Sequence, residues 1–141
     1  MSNTRIMLTT LALGATITFA GPAFAEKMKA TLDGKSEVPA NTSAATGTAD
    51  IDYDAATKKL SWKVTYSGLS GPATAAHFHG PAEAGKNAGV AVAIPNAGTS
   101  PAEGSATLTD AQAADLVAGK YYVNIHTAAN PGGEIRGMVT K

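Results

Sequence analysis

Cysteine is absent from this sequence of 141 residues, and the few charged side chains are evenly divided between the two signs. Without cysteine the chain has no disulfide to stabilise it and no thiolate to act as a nucleophile or metal ligand. Eleven basic and eleven acidic residues give no basic patch for nucleic acid and no polybasic segment for a membrane surface. A folded domain must therefore depend on packing alone, with neither nucleic acid nor membrane expected as its partner.

The only long apolar run lies at the N-terminus. Arg5 precedes apolar residues 6–20, and Ala23-Phe24-Ala25 follows with small residues at the first and third positions. These features predict a signal peptide, residues 1–25, cleaved after Ala25. A retained anchor is the alternative, but the run is short for a spanning helix of about 20 residues. We expect one mature domain, residues 26–141, in the periplasm or secreted.

After residue 25 apolar and polar residues alternate in short runs, interrupted by Gly, Pro, Asn and Ser. Such alternation is typical of strands with one buried face. The clearest pair is residues 47–53 and 59–66, and the single tryptophan, Trp62, lies on the apolar face of its second strand. In all, strands are predicted over residues 27–32, 47–53, 59–66, 74–79, 89–94, 104–108, 120–127 and 134–140.

One helix is predicted, over residues 109–118. Thr109 and Gln112 have the spacing of a capping box, and Gly119 is placed to end the helix. About eight short strands with this one helix predict an all-β fold, an antiparallel sandwich or barrel with Greek-key connections.

The three histidines of the chain carry its most specific chemistry. His77 and His79 flank Phe78 in a predicted strand, and His126 lies in another. Side chains at i and i+2 of a strand share a face, so both imidazoles project together while Phe78 enters the core. The third imidazole, from a neighbouring strand, would complete a three-nitrogen metal site with a position open for a fourth ligand. Imidazoles without thiolate favour Cu²⁺ or Zn²⁺, and the exported location favours copper.

Other polar residues are candidates for the surroundings of this site. A tight reversal at residues 130–133 would bring Glu134 close enough to orient an imidazole and Arg136 close enough to attract an anionic ligand. Tyr122 shares a face with His126 and is placed to donate its hydroxyl there. A slip of one residue in this hairpin would switch the face.

A purely structural role is the alternative for the histidines, with hydrogen bonds to the loop at residues 80–88. Glu37, Glu83 and Glu103 are predicted to be solvated in loops. No Ser–His–acid arrangement is evident, so we assign no catalytic residue, and an enzyme is the less favoured interpretation.

Four stretches together resemble the chordin-type (CHRD) domain. They are His-Phe-His-Gly-Pro-Ala at residues 77–82, residues 116–127, Asn-Pro-Gly-Gly-Glu-Ile-Arg-Gly at residues 130–137, and residues 32–39 ending in Glu-Val-Pro. In animals, chordin carries repeats of this domain and binds growth factors outside the cell, and in bacteria the domain usually stands alone after a signal peptide. The resemblance therefore implies an extracellular domain of the single-domain bacterial form.

The family is also distantly similar to copper-zinc superoxide dismutase. Both have a His-x-His on a strand of a Greek-key fold, and an Arg in a glycine-rich stretch near the C-terminus. Three histidines cannot supply the six of a two-metal site, and the long zinc loop and the disulfide are missing.

Three functions follow as expectations. The first is an exported domain that binds one copper ion through His77, His79 and His126, for copper holding, tolerance or delivery, with zinc as the other possible metal. The second is an extracellular protein-interaction module with structural histidines and another exported protein as its partner. The third is a copper-only redox enzyme of dismutase type.

Overall fold

The structure is a computed structural model that describes residues 24–141. Most of the predicted signal peptide, residues 1–23, lies outside the described residues, so cleavage after Ala25 stays a prediction. Within the described range, no helix has the length and apolar character needed to cross a bilayer.

Eight strands and one helix make up the described part of the chain, and they confirm the all-β prediction. The elements are β1 (Glu26–Asp33), β2 (Thr46–Asp54), β3 (Lys59–Ser67), β4 (Ala73–His79), β5 (Val90–Ala93), β6 (Ala102–Thr107), α1 (Asp110–Val117), β7 (Tyr122–Thr127) and β8 (Ile135–Met138). Each predicted strand is present. The largest differences are at β6, which begins two residues earlier and ends one residue earlier than predicted, and at β8, which covers only the middle of the predicted range.

The strands form one antiparallel sheet that curves into a nearly closed barrel. Their order is β5-β4-β7-β8-β1-β2-β3-β6. The chain crosses from β3 to β4, and later strands return so that β6 lies beside β3 and β7 beside β4, which are Greek-key connections. The two edges of the sheet are β5 and β6.

The helix α1 follows β6 and is connected to the edge strand β5 by one side-chain hydrogen bond. Thr109 and Gln112 form the predicted capping box, and the Gln112 amide also donates to the Ala91 carbonyl of β5 at 3.0 Å. Leu116 anchors the helix in the core.

The core lies inside the barrel, where the apolar faces of the strands meet. Ile51 pairs with Trp62 across the hairpin of β2 and β3, and Trp62 is buried as predicted. Its ring centroid lies 5.3 Å from that of Phe78 on β4. This contact fixes which face of β4 is turned inward, and so which face carries the histidines.

Candidate metal centre

The strand β4 divides its side chains between the core and a polar outer face. Phe78 is fully buried, while His77 and His79 point together to the other side. On the neighbouring strand β7, Asn124 pairs with His77, and His126 pairs with Ala75. All three imidazoles therefore lie on one face of the β4–β7 pair, as the alternation in the sequence predicted.

The three rings are close enough to share one ion. Each offers one nitrogen such that all three nitrogens lie within 4.8 Å of one another. His77 Nδ1 is 3.1 Å from His126 Nε2. Two ligand atoms that are each about 2.0–2.1 Å from one metal ion stand roughly 2.9–3.4 Å apart at angles of roughly 90–110°. The separation of this pair is that of a hydrogen bond between the two rings, and it also matches two ligands on one ion.

Backbone carbonyls set the tautomer of two of the rings. His79 Nδ1 donates to the Ala88 carbonyl at 3.0 Å, and His126 Nδ1 donates to the Pro131 carbonyl at 2.8 Å. Because a neutral imidazole has one N–H, each ring keeps a lone pair on Nε2. Hydrogen bonds of this kind orient imidazoles that ligate metals.

Burial favours the neutral form of the paired histidines. It lowers the pKa of His77 and of His79, since the imidazolium would lose its hydration. The neighbouring imidazoles lower both pKa values further, because like charges would repel. Neutral imidazole is the form that binds a metal ion.

Tyr122 packs directly against the site. Its ring stacks on His79 with centroids 4.9 Å apart and planes 6° from parallel. Its hydroxyl accepts a hydrogen bond from the Ala88 amide at 3.1 Å. Tyr122 and His79 thus hold the same residue of the loop at residues 80–88.

Glu134 is buried, but its hydrogen bonds do not reach a histidine. Its carboxylate accepts from the Ser43 hydroxyl at 2.8 Å and from the Ser70 amide at 3.0 Å. The reason is local: β8 begins at Ile135, so Glu134 lies in the preceding turn, where strand alternation does not direct its side chain. Its carboxylate joins two loops instead of orienting an imidazole.

Arg136 lies beside the site, opposite Asn124 in the register of β7 and β8. Its guanidinium carbon is 4.1 Å from the centroid of the Tyr122 ring. The donors of Arg136 are directed to protein acceptors: Nε to Glu37 Oε2 at 3.0 Å and Nη2 to Asn87 Oδ1 at 2.7 Å. Its charge is therefore paired within the protein.

A scan against protein families matches the CHRD domain over residues 28–139. The chain belongs to the CHRD domain family. The matched range includes the three histidines, Arg136 and nearly all of the sheet. No curated protein and no solved structure matched the chain in the corresponding searches. The family match thus identifies the domain, whereas the candidate metal centre is inferred from the geometry of this chain.

Glu37 of this CHRD domain corrects an expectation from the sequence. It was predicted to be solvated, but it is only 4% exposed and forms an ion pair with Arg136 at 3.0 Å. Burial raises the pKa of the Glu37 carboxyl, and the charge of Arg136 opposes that rise. Glu83 and Glu103 are exposed as predicted, but Glu103 lies in β6 and not in a loop. The feature of the sequence that could have indicated a specific role for Glu37 is its position in the Glu-Val-Pro motif, which is part of the resemblance to the CHRD domain.

Asn124 takes part in the site, but the sequence did not identify it as a site residue. It is 1% exposed, and its Oδ1 lies 2.9 Å from His79 Nε2. Alternation along β7 put Asn124 on the same face as Tyr122 and His126. Its contact with His79 depends on the pairing of β7 with β4, which the sequence did not reveal.

Proposed function

We propose that this CHRD domain is exported and binds one copper ion through His77, His79 and His126. The observation that carries the proposal is the convergence of three imidazoles with their ring nitrogens within 4.8 Å of one another. Its use would be to hold copper outside the cytoplasm, for tolerance or for delivery to another exported protein.

The chemistry of the donor set supports copper as the metal. Three imidazoles without thiolate suit Cu²⁺ and Zn²⁺, and Cu²⁺ has the higher affinity in the general order of divalent metals. His77 and His126 are only partly buried, so an ion at this site would have a route to solvent. Such a route suits the uptake and release that copper holding or delivery requires.

An interaction module with structural histidines is the second candidate, and specific contacts favour it. His79 donates to Ala88 and His126 donates to Pro131, so both rings attach loops to the sheet whether or not a metal is present. Loops held in this way would offer a fixed surface to another exported protein.

The test is a Cu²⁺ titration of the purified, metal-free protein and of His77→Ala, His79→Ala and His126→Ala. We expect one ion per chain. Each substitution should lower the affinity for Cu²⁺ by at least about ten-fold, which is the typical loss when a residue around a metal site is changed. Zn²⁺ should compete less effectively. The matched control is Glu83→Ala, which removes an exposed carboxylate near the same loop and should leave the affinity unchanged.

The pH dependence of the same titration is a further readout. Because burial lowers the pKa of His77 and His79 below the ordinary value of 6.5, protons should compete strongly with copper only below that pH. A triple alanine variant with the wild-type affinity and stoichiometry would rule out the copper site. If the wild type binds no copper while the variants lose stability, the structural interpretation is correct.

A further inference from the structure

Asn124 occupies the centre of the polar face that carries the histidines. It pairs with His77 on β4 and with Arg136 on β8. It is 1% exposed, so its carboxamide has to find its partners within the protein. The oxygen and the nitrogen of such a buried carboxamide each need a partner.

The oxygen end of the carboxamide faces a ring nitrogen that carries no hydrogen in the metal-binding form of the site. Asn124 Oδ1 is 2.9 Å from His79 Nε2, and the single N–H of the neutral His79 ring is on Nδ1, where it donates to Ala88. Two acceptors would then face each other with only lone pairs between them. A cation bound by both atoms removes this conflict, and about 2.9 Å is the spacing of two ligands at a right angle on one ion.

The amide cannot simply turn over, because its nitrogen donates to the Gly132 carbonyl at 3.5 Å and lies on the side of the Glu37 carboxylate. A Cβ atom placed on Gly133 would contact both Glu37 Oε1 and Asn124 Nδ2, so both atoms border the same small space beside Gly133. Glu37 Oε1 has no hydrogen-bond partner in the described part of the chain, and Arg136 holds the Glu37 carboxylate through Oε2. Turning the amide would place Asn124 Oδ1 against this carboxylate.

We propose that the Asn124 carboxamide oxygen is the fourth protein ligand of the ion bound by His77, His79 and His126, with Glu37 as the residue that positions it. This inference rests on the proposed metal site. Copper accepts a carboxamide oxygen as a weak ligand beside stronger ones. Four protein ligands make a complete four-coordinate set, which is typical of sites that hold a metal, whereas catalytic sites keep one of the four positions for water or substrate. The fourth ligand therefore favours copper holding or delivery over redox catalysis.

The test is electron paramagnetic resonance of the Cu²⁺-loaded full chain in water enriched in ¹⁷O. A coordinated water broadens the copper signal, whereas a carboxamide oxygen from the protein does not. We expect no broadening in the wild type. We expect broadening in Asn124→Ala, together with an affinity for Cu²⁺ that is about ten-fold lower, because water replaces the lost ligand.

A second variant tests the role of Glu37 and covers a failure of Asn124→Ala to fold. In Glu37→Gln the new amide can donate to Asn124 Oδ1, which would turn that oxygen away from the ion and give the same broadening. The matched control is Gln112→Ala. The Gln112 amide donates to the Ala91 carbonyl at 3.0 Å, and Gln112 Oε1 accepts from the Thr109 amide at 3.0 Å, so the variant loses the hydrogen bonds of a carboxamide in α1, away from Asn124 and Glu37. It should show the wild-type spectrum.

The outcomes separate this inference from the proposed function. If the spectra show three coordinated imidazoles and the broadening is equal in the wild type and in Asn124→Ala, Asn124 is not a ligand, although the three-histidine metal site still stands. A wild-type spectrum without imidazole coordination would overturn the proposed function and the inference with it.

Discussion

Among single residues, Gly133 matters most for the polar face that carries the histidines, because its backbone lies close to the side chains of Glu37 and Asn124. Gly133 has φ of +126°, and a Cβ there would contact Glu37 Oε1 and lie 2.7 Å from Asn124 Nδ2. Only glycine adopts such a conformation without strain and leaves space for both side chains. The adjacent Gly132 has nothing within 4 Å of the corresponding position.

We therefore expect Gly133→Ala to lower the free energy of unfolding by about 1–3 kcal/mol and to weaken copper binding. Gly132→Ala is the control and should change the stability by no more than about 0.5 kcal/mol. Urea denaturation of both variants at the same pH measures the difference. Equal losses in the two variants would show that the packing around Gly133 does not limit stability.

Among the secondary-structure elements, β4 and α1 show how local sequence determines which side chains of a segment are buried and which bind neighbouring groups. Alternation in β4 puts Phe78 in the core and the paired histidines outside. In α1 the capping box satisfies backbone groups at the first turn, and Gln112 in addition bonds the edge strand. A helix of eight residues is marginal by itself, so its cap and its contact with β5 matter.

We expect Thr109→Ala to lower the free energy of unfolding by about 1 kcal/mol, because the N-cap hydroxyl that accepts from the Gln112 amide is lost. Thr57→Ala is the control, since Thr57 is exposed in a turn and has no hydrogen bond from its hydroxyl among those of the described residues. Thermal and urea denaturation test the pair. A loss in Thr57→Ala as large as that in Thr109→Ala would contradict the capping argument.

At the scale of the whole molecule, one ion pair connects the early part of the chain to its last strand. Glu37 and Arg136 are separated by 99 residues, and their side chains are 2% and 5% exposed. Arg136 also donates to Asn87, so the pair joins the segment after β1, the loop before β5 and the strand β8. A buried pair of this kind is costly to break, because the remaining charge is left unpaired.

We expect Glu37→Ala to lower the free energy of unfolding by about 3–5 kcal/mol, since Arg136 would stay buried without its partner. The control is Glu103→Ala, whose ion pair with Lys63 at 3.9 Å has side chains more than half exposed and should contribute about 0–1 kcal/mol. Denaturant unfolding at pH 7 measures both. Similar values for the two variants would mean that the buried pair adds no more than a surface pair.

Much of this CHRD domain could be predicted from local patterns. The strands, the capped helix, the burial of Trp62 and the shared face of His77 and His79 all follow from the periodicity of side chains along one segment. The burial of Glu37 and the hydrogen bonds of Glu134 could not be predicted, because both residues lie in turns where no periodicity applies and their partners are far away in the sequence.

Local sequence specifies which residues form strands and which side chains share a face, because a strand alternates with a period of two whatever surrounds it. The pairing of β7 with β4 arises only in the folded molecule, where it brings His126 to the other two imidazoles and places Asn124 against His79. Strand order depends on the total burial of the sheet and on the loops that close it, so no single segment encodes it.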